Sequence, residues 1–512
     1  MLLLAVAVPA FTQETPFIFR GGVVNAASLT PNELPGGGVA PGSVITISGR
    51  RLGPGRDLSG VSIDLRKGTT ELSARPILAN DSQISAILPA NTPTGDISLR
   101  LSVNGQKSNW VPLRVVDRAP GIFTATGLGR GWAISQKAAS SGGSIPAFHG
   151  GTNSAIPGQA AMLLLTGAGV NSFFDVFTEL YIGGSRVTRM VYSGRAPGMP
   201  GVDQLVFFIP DDAPMGCFVP VYVRVGGVVS NSTTMAIMPK GGACSDTHNP
   251  IAESLVKGGK IVHGLLFHAS ANVGEAAGMS VSLAIDKGSV RAMEERGGPF
   301  AFDPFLAMPP AGACTSYAMS GNILATGFQM SSPGKALDLG KLSTNMGDRD
   351  MPFTELIPGV YTITFGGGLS ARDAPSLRAS GGADVRPFDL PVATGPVLDS
   401  PNLEELSNID RMSGANISWK GQPGVSAFLA GAVYDLPTNS SGLFLCVSAP
   451  GASMLSIPDY VLANLPPTRA TNQNDARVFF SALPMLRATS LPDLLVFSAR
   501  QDLTFQPIRS VR

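Results

Sequence analysis

Neither sign of charge is in surplus: 37 Lys and Arg stand against 36 Asp and Glu in 512 residues. Without excess cation to neutralise phosphates, nucleic acid is excluded as the expected partner. Charge is scarce as well, at 14% of the chain, where about 25% is usual. Hydrophobic residues make up 44%, which excludes a disordered chain. No internal stretch approaches the ~18 apolar residues of a membrane helix; the best, Ala160 to Leu165, runs into Thr166 and Gly167. There is no Gly-x-Ser-x-Gly elbow, no Walker loop and no His-Glu-x-x-His. No aspartate run has calcium-loop spacing, and none of the four cysteines forms a Cys-x-x-Cys. The chain is therefore expected to be no enzyme and to hold no cofactor or metal.

What the sequence does have is punctuation. Its 61 glycines and 41 prolines suit short strands joined by many turns. Length alone predicts three or four domains at roughly 150 residues each. The opening Met1-Leu2-Leu3-Leu4-Ala5-Val6-Ala7-Val8-Pro9-Ala10 has the apolar core and small-residue exit of a secretory signal; an apolar N-terminal strand is the other reading. An even cysteine count in an exported chain predicts disulfides. The short spacing of Cys217 and Cys244 suits a bridge within one sandwich, which leaves Cys314 for Cys446. Buried free thiols are the alternative.

The chain repeats itself. Pro89, Pro93 and Gly95 return as Pro210, Pro214 and Gly216 at an offset of 121, and Ser108-Asn109 returns as Ser230-Asn231 at 122. Ala40-Pro41-Gly42-Ser43-Val44 answers Ile156-Pro157-Gly158 and the strand after it. Inside a copy, Ile45 and Ile47 alternate with Val44, Thr46 and Ser48, while Leu99, Leu101 and Val103 alternate with Ser98, Arg100 and Ser102. That period of two marks strands with one buried face. Asn104-Gly105 and Gly226-Gly227 are hairpin turns.

The segments Val23-Val24-Asn25-Ala26-Ala27-Ser28, Val39-Ala40-Pro41-Gly42-Ser43-Val44, Ala119-Pro120-Gly121-Ile122-Phe123 and Gly216-Cys217-Phe218-Val219-Pro220-Val221 resemble a repeat of secreted acidobacterial proteins. This Solibacter-type C-terminal domain is similar to IPT/TIG immunoglobulin-like folds. The resemblance covers about residues 21–245 and implies an exported tandem without assigned catalytic residues. Copy 1 departs from copy 2 in having Asp96 where copy 2 has Cys217.

The expected fold is all-β: tandem immunoglobulin-like (IPT/TIG-like) β-sandwiches followed by one or two further β-sandwich domains. Expected boundaries are a signal-like N-terminus at 1–20, copies at 21–117 and 118–240, and sandwiches at 246–395 and 396–512. Linker loops are expected at Gly127-Leu128-Gly129-Arg130-Gly131-Trp132 and Ser140-Ser141-Gly142-Gly143-Ser144. In the C-terminal half, strands are expected at Ile261 to His268, at Val360 to Phe365 before Gly366-Gly367-Gly368, and at Asn416-Ile417-Ser418-Trp419.

Few residues invite chemistry. His248, His263 and His268 fall close together, but five residues apart on a strand points His263 and His268 to opposite faces. Glu294 and Glu295 are adjacent, and a glycosidase pair must flank a bond; a solvated turn is expected there. Gly127-x-Gly129-x-Gly131 lacks the βαβ context of a dinucleotide loop. Trp110, Trp132 and Trp419 are candidate sugar platforms, and the sequons at Asn231 and Asn439 predict exposed loops. The expected function is an exported, non-catalytic structural or interaction protein presenting loops or sheet edges to an extracellular protein or polysaccharide. Carbohydrate or cell-wall binding is the alternative, and a hydrolase in the C-terminal half the third reading. Its expected place is secreted, at the cell surface or in the periplasm.

Overall fold

The computed structural model describes residues 15–512 apart from 54, 56, 139–147, 170–176, 277–278, 299–301, 305, 324–333, 366–374, 400 and 470–474, and leaves aside the side chains of 271–283, 346 and 469. The apolar opening, the Ser140-to-Ser144 loop and the Gly366-to-Gly368 turn lie outside the described residues. Among the described residues the regular structure is nearly all strand, with one helix of two turns at Pro250–Lys257 and short helical turns at Leu403–Leu406 and Asp459–Leu462.

The repeat is visible in its hydrogen bonds. Ser108 Oγ accepts from Leu101 N at 3.0 Å, and Ser230 Oγ accepts from Val223 N at 3.0 Å. Asn109 brackets the backbone of Ile18, accepting from its N–H at 2.9 Å and donating to its carbonyl at 3.0 Å. Asn231 does the same to Ile122, at 2.8 and 3.1 Å. Both hairpin turns place two consecutive residues at positive φ, Asn104 and Gly105 at 48° and 82°, Gly226 and Gly227 at 54° and 85°. This is the mirror-image turn that matches strand twist.

The change of offset from 121 to 122 has a structural cause. Strand Gly95–Val103 pairs evenly with Val111–Val115. Its counterpart Gly216–Val225 slips between Gly216 and Val219 against Thr233–Ile237, two residues advancing on one side for three on the other. The extra residue is a β-bulge at Cys217 and Phe218, where the cysteine peculiar to this copy sits.

In the first copy, strand Thr70–Ala79 pairs with both Val61–Lys67 and Gln83–Ile87, joining the faces into one eight-stranded sheet. In the second, the same crossing is broken into Ser185–Arg186 and Met190–Arg195, leaving two five-stranded sheets. Each copy has its own apolar core. The expected one-sided burial of Val44 to Ser48 is corrected: Val44 and Thr46 are buried along with Ile45 and Ile47. The second copy covers the other face there, with Thr166 Oγ1 accepting from Val44 N at 2.9 Å.

The expected division at 395/396 is crossed by one sheet. Among the described residues, twelve strands from Gly259 to Pro507 form a single sheet, and Gly259–Ala276 lies parallel to Leu494–Pro507 in register from Ile261↔Leu495 to Ser270↔Thr504. Cys314–Ser320 pairs with Ser440–Val447 in the same sheet. The structure bridges Cys217 to Cys244 and Cys314 to Cys446.

Candidate functional site

The second copy buries both faces of Gly216–Val225. Val219, Val221, Val223 and Val225 enter its own core, while Phe218, Tyr222 and Arg224 face the C-terminal half. Tyr222 Oη accepts from Ser316 N at 2.7 Å, Arg224 pairs with Asp459 at 2.7 Å, and Asn464 Nδ2 donates to Ser230 O at 3.1 Å. The corresponding face of the first copy carries Ser98, Arg100 and Ser102 and stays open to solvent in part.

Where the turn of the first copy meets this junction, a cleft of about 470 Å³ opens. Its walls are the turn around Ser28 to Pro31, the glycine loop around Leu128 to Arg130, the start of the last strand of copy 2 and the segment around Tyr317 to Ile323. The first wall is set by Asn25, whose Oδ1 accepts from Ala27 N and Ser28 N at 2.8 and 3.1 Å. It ends with Leu29 in the left-handed region at φ 53°, where a side chain is strained and glycine is usual. The second wall needs Gly129 for close approach: a Cβ there would lie 2.2 Å from Ser28 O. Asn231 Nδ2 donates to Gly129 O at 2.8 Å, and Thr126 Oγ1 donates to Arg130 O at 2.6 Å. The loop is therefore held, and Arg130 enters the cleft from a fixed backbone.

Arg130 is half-buried, and burial lowers its pKa. Among the described residues it has no carboxylate partner, and no acidic residue lines the cleft. Tyr317 stands beside it, buried, with a hydroxyl that has no hydrogen-bond partner of ordinary geometry among the described residues. Burial pushes that phenol's pKa up, so it stays neutral. An aromatic series fixes Tyr317 from behind: Trp132 stacks on Phe218 at 5.5 Å, Phe218 meets Phe302 edge-on at 5.9 Å, and Phe302 meets Tyr317 at 5.8 Å.

The expected sugar platforms are placed otherwise. Trp132 is buried and donates from Nε1 to Cys217 O at 3.1 Å. Trp419 is buried against Phe480, just past strand Ala415–Ser418 rather than within it. Both serve cores, as a large apolar ring in a sandwich does. Trp110 is half-buried with the guanidinium groups of Arg66 and Arg100 at 4.6 and 4.4 Å from its ring.

Glu294 and Glu295 are not a solvated turn: they end strand Met279–Glu295, Glu294 exposed and Glu295 buried. Glu295 pairs with Arg291 at 3.1 Å, and Arg291 also binds Asp303. His263 lies opposite Arg291 in register; burial and that cation lower its pKa to about 4. His268 Nδ1 meets Asp286 at 2.7 Å, and His248 is exposed in a loop. No group of three metal-ligating side chains occurs among the described residues. Asn231 is not on an exposed loop, since both ends of its amide are engaged; Asn439 is exposed, in a turn.

The Gly127-to-Gly131 loop stood out in the sequence, but as a connection. The signal for its role was the one cation set among its glycines. What could not be read was that Ser28 and Tyr317, far apart in sequence, would close around it.

No family model matches the chain, and no curated protein matches it. Among solved structures, a Bacteroides ovatus mixed-linkage glucan utilization locus SGBP-B in complex with a mixed-linkage heptasaccharide shares 13% identity at a TM-score of 0.20, over 64% of this chain and 65% of that one. The chain thus spans under two thirds of that protein. SGBP-B from a complex xyloglucan utilization locus in Bacteroides uniformis shares 11%, TM-score 0.19, over 74% and 97%. Domains 5–6 of the S-layer protein SbsC share 11%, TM-score 0.20, over 44% and 98%. At these scores the likeness carries no argument about function, and the all-β assignment rests on the strand pairings themselves.

Proposed function

We propose that the protein is a non-catalytic binding scaffold working outside the cytoplasm, with two immunoglobulin-like copies of the IPT/TIG kind set against a large C-terminal sheet. It engages an extracellular polysaccharide, or a protein partner, at the cleft where the three meet. The observation that carries this reading is the cleft itself. A half-buried cation and a buried phenol line it without an acidic neighbour. General acid–base or nucleophilic chemistry needs suitably placed titrating groups, and among the described residues the lining holds neither carboxylate nor histidine. The volume suits a ligand of one or two sugar rings or a short chain end. Two disulfides support a compartment that is not reducing. No helix of the described residues is long and apolar enough to cross a membrane.

The test is incubation of the full chain with a panel of soluble polysaccharides, following binding and reducing-end release together. Retention by at least one polysaccharide without new reducing ends is expected. Turnover of any member would overthrow the non-catalytic reading, and failure to bind any member would overturn the polysaccharide form and put the protein-partner form to a pull-down from cell-surface protein fractions.

A further inference from the structure

Resting on that reading, we infer that the cleft selects a carboxylate-bearing saccharide, a short uronic-acid unit whose carboxylate pairs with Arg130. A guanidinium withdrawn from water without a counter-ion is unfavourable, and an isolated charge is tolerated in a fold where a partner arrives to meet it. Arg130 is in that position: half-buried, its pKa lowered by burial, and unpaired among the described residues. Its planar fork matches a carboxylate through two parallel N–H···O bonds.

The rest of the lining argues for a monoanion carried on a polyol. Among the described residues the lining holds one cation, where a dianionic phosphate would draw several. Around it stand neutral hydroxyl and amide side chains, among them Ser28, Thr30, Ser320 and Asn464, which suit ring hydroxyls. Leu29 and Leu128 add apolar rim, Leu128 being 54% exposed, of the kind that packs on sugar C–H faces. Leu29 is held at positive φ on this rim, and strain that persists at a cleft is a mark of a built site. Ser28 and Gly129 are in backbone contact, so the two copies cannot part here without losing the wall. The buried Tyr317 ring stands beside Arg130 and backs that end of the cleft.

The experiment uses the full chain and two probes of the same shape, digalacturonate and its dimethyl ester, titrated by calorimetry at low and moderate salt. The acid is expected to bind at least tenfold more tightly than the ester, with the gap narrowing as salt rises. Arg130→Gln should remove at least tenfold of the affinity for the acid and change that for the ester little, while Arg130→Lys retains part of it. Thermal melting of both variants should match the parent, because among the described residues the Arg130 side chain has no ion-pair partner. Equal affinity for acid and ester overturns the inference and leaves the binding scaffold standing. Unchanged acid binding in Arg130→Gln, or no binding of the acid at all, also overturns it, whatever the polysaccharide panel shows.

Discussion

Asn109 and Asn231 each close a strand's backbone with one amide, donating to and accepting from a single distant residue. Replacing Asn109 by Ala leaves both polar groups of Ile18 unpaired and should cost about 1–3 kcal/mol, read from the urea midpoint. His149 is the other residue with a consequence at this scale. Gln159 Nε2 donates to its Nε2 at 3.0 Å, which leaves Nδ1 to donate to Ser135 Oγ at 3.1 Å. Burial lowers its pKa from 6.5 to about 4. The unfolded chain binds the proton first as pH falls, so the stability His149 contributes is full above pH 6.5 and is lost toward pH 4, by about 3 kcal/mol. Asp203 works in the opposite sense, its pKa raised to about 6 by burial, so its contribution falls as pH rises between 3.8 and 6. The difference in unfolding free energy between parent and His149→Gln should therefore shrink on acidification from pH 7 to 4; a difference that stays constant with pH contradicts the assignment. The Ser-Asn pairs were legible as a repeat, whereas the bonds the asparagines make depend on strands about a hundred residues away and were not.

At the scale of elements, strands Gly95–Val103 and Gly216–Val225 share a pattern on one face and differ on the other. Ser98, Arg100 and Ser102 need no cover, but Phe218 and Tyr222 do, and the C-terminal half supplies it. The two faces differ in the sequence, but that the second copy docks on a further sheet is seen only in the structure. Tyr222→Ala, which empties a fully buried site, should lower stability by about 3–5 kcal/mol, measured by thermal unfolding. The disulfides rank by the loops they close. Removing Cys217–Cys244, separated by 27 residues, should cost about 3–4 kcal/mol, and Cys314–Cys446, separated by 132, about 5 kcal/mol. Serine pairs at each bridge, compared by denaturant titration, check the order; a larger loss at the shorter loop would contradict it.

Over the whole molecule, the all-β architecture was legible from turn residues and period-two patterns, and the two copies from their proline and glycine spacing. The C-terminal division was not. Its strands read as separate sandwiches because local pattern marks a strand and not its partner. Here the partner of Gly259–Ala276 is Leu494–Pro507, more than two hundred residues on. The same limit hid the cleft, whose four walls come from stretches that local pattern cannot bring together. The account's central claim, that these stretches form one ligand-bearing site on a fixed scaffold, is tested most directly by hydrogen–deuterium exchange of the full chain with and without a bound polysaccharide. The account predicts slower exchange at residues 28–31, 127–132 and 317–323 together, with the sandwich cores unchanged. Protection at a sheet edge or on the Trp110 face, with the cleft unaltered, would contradict it.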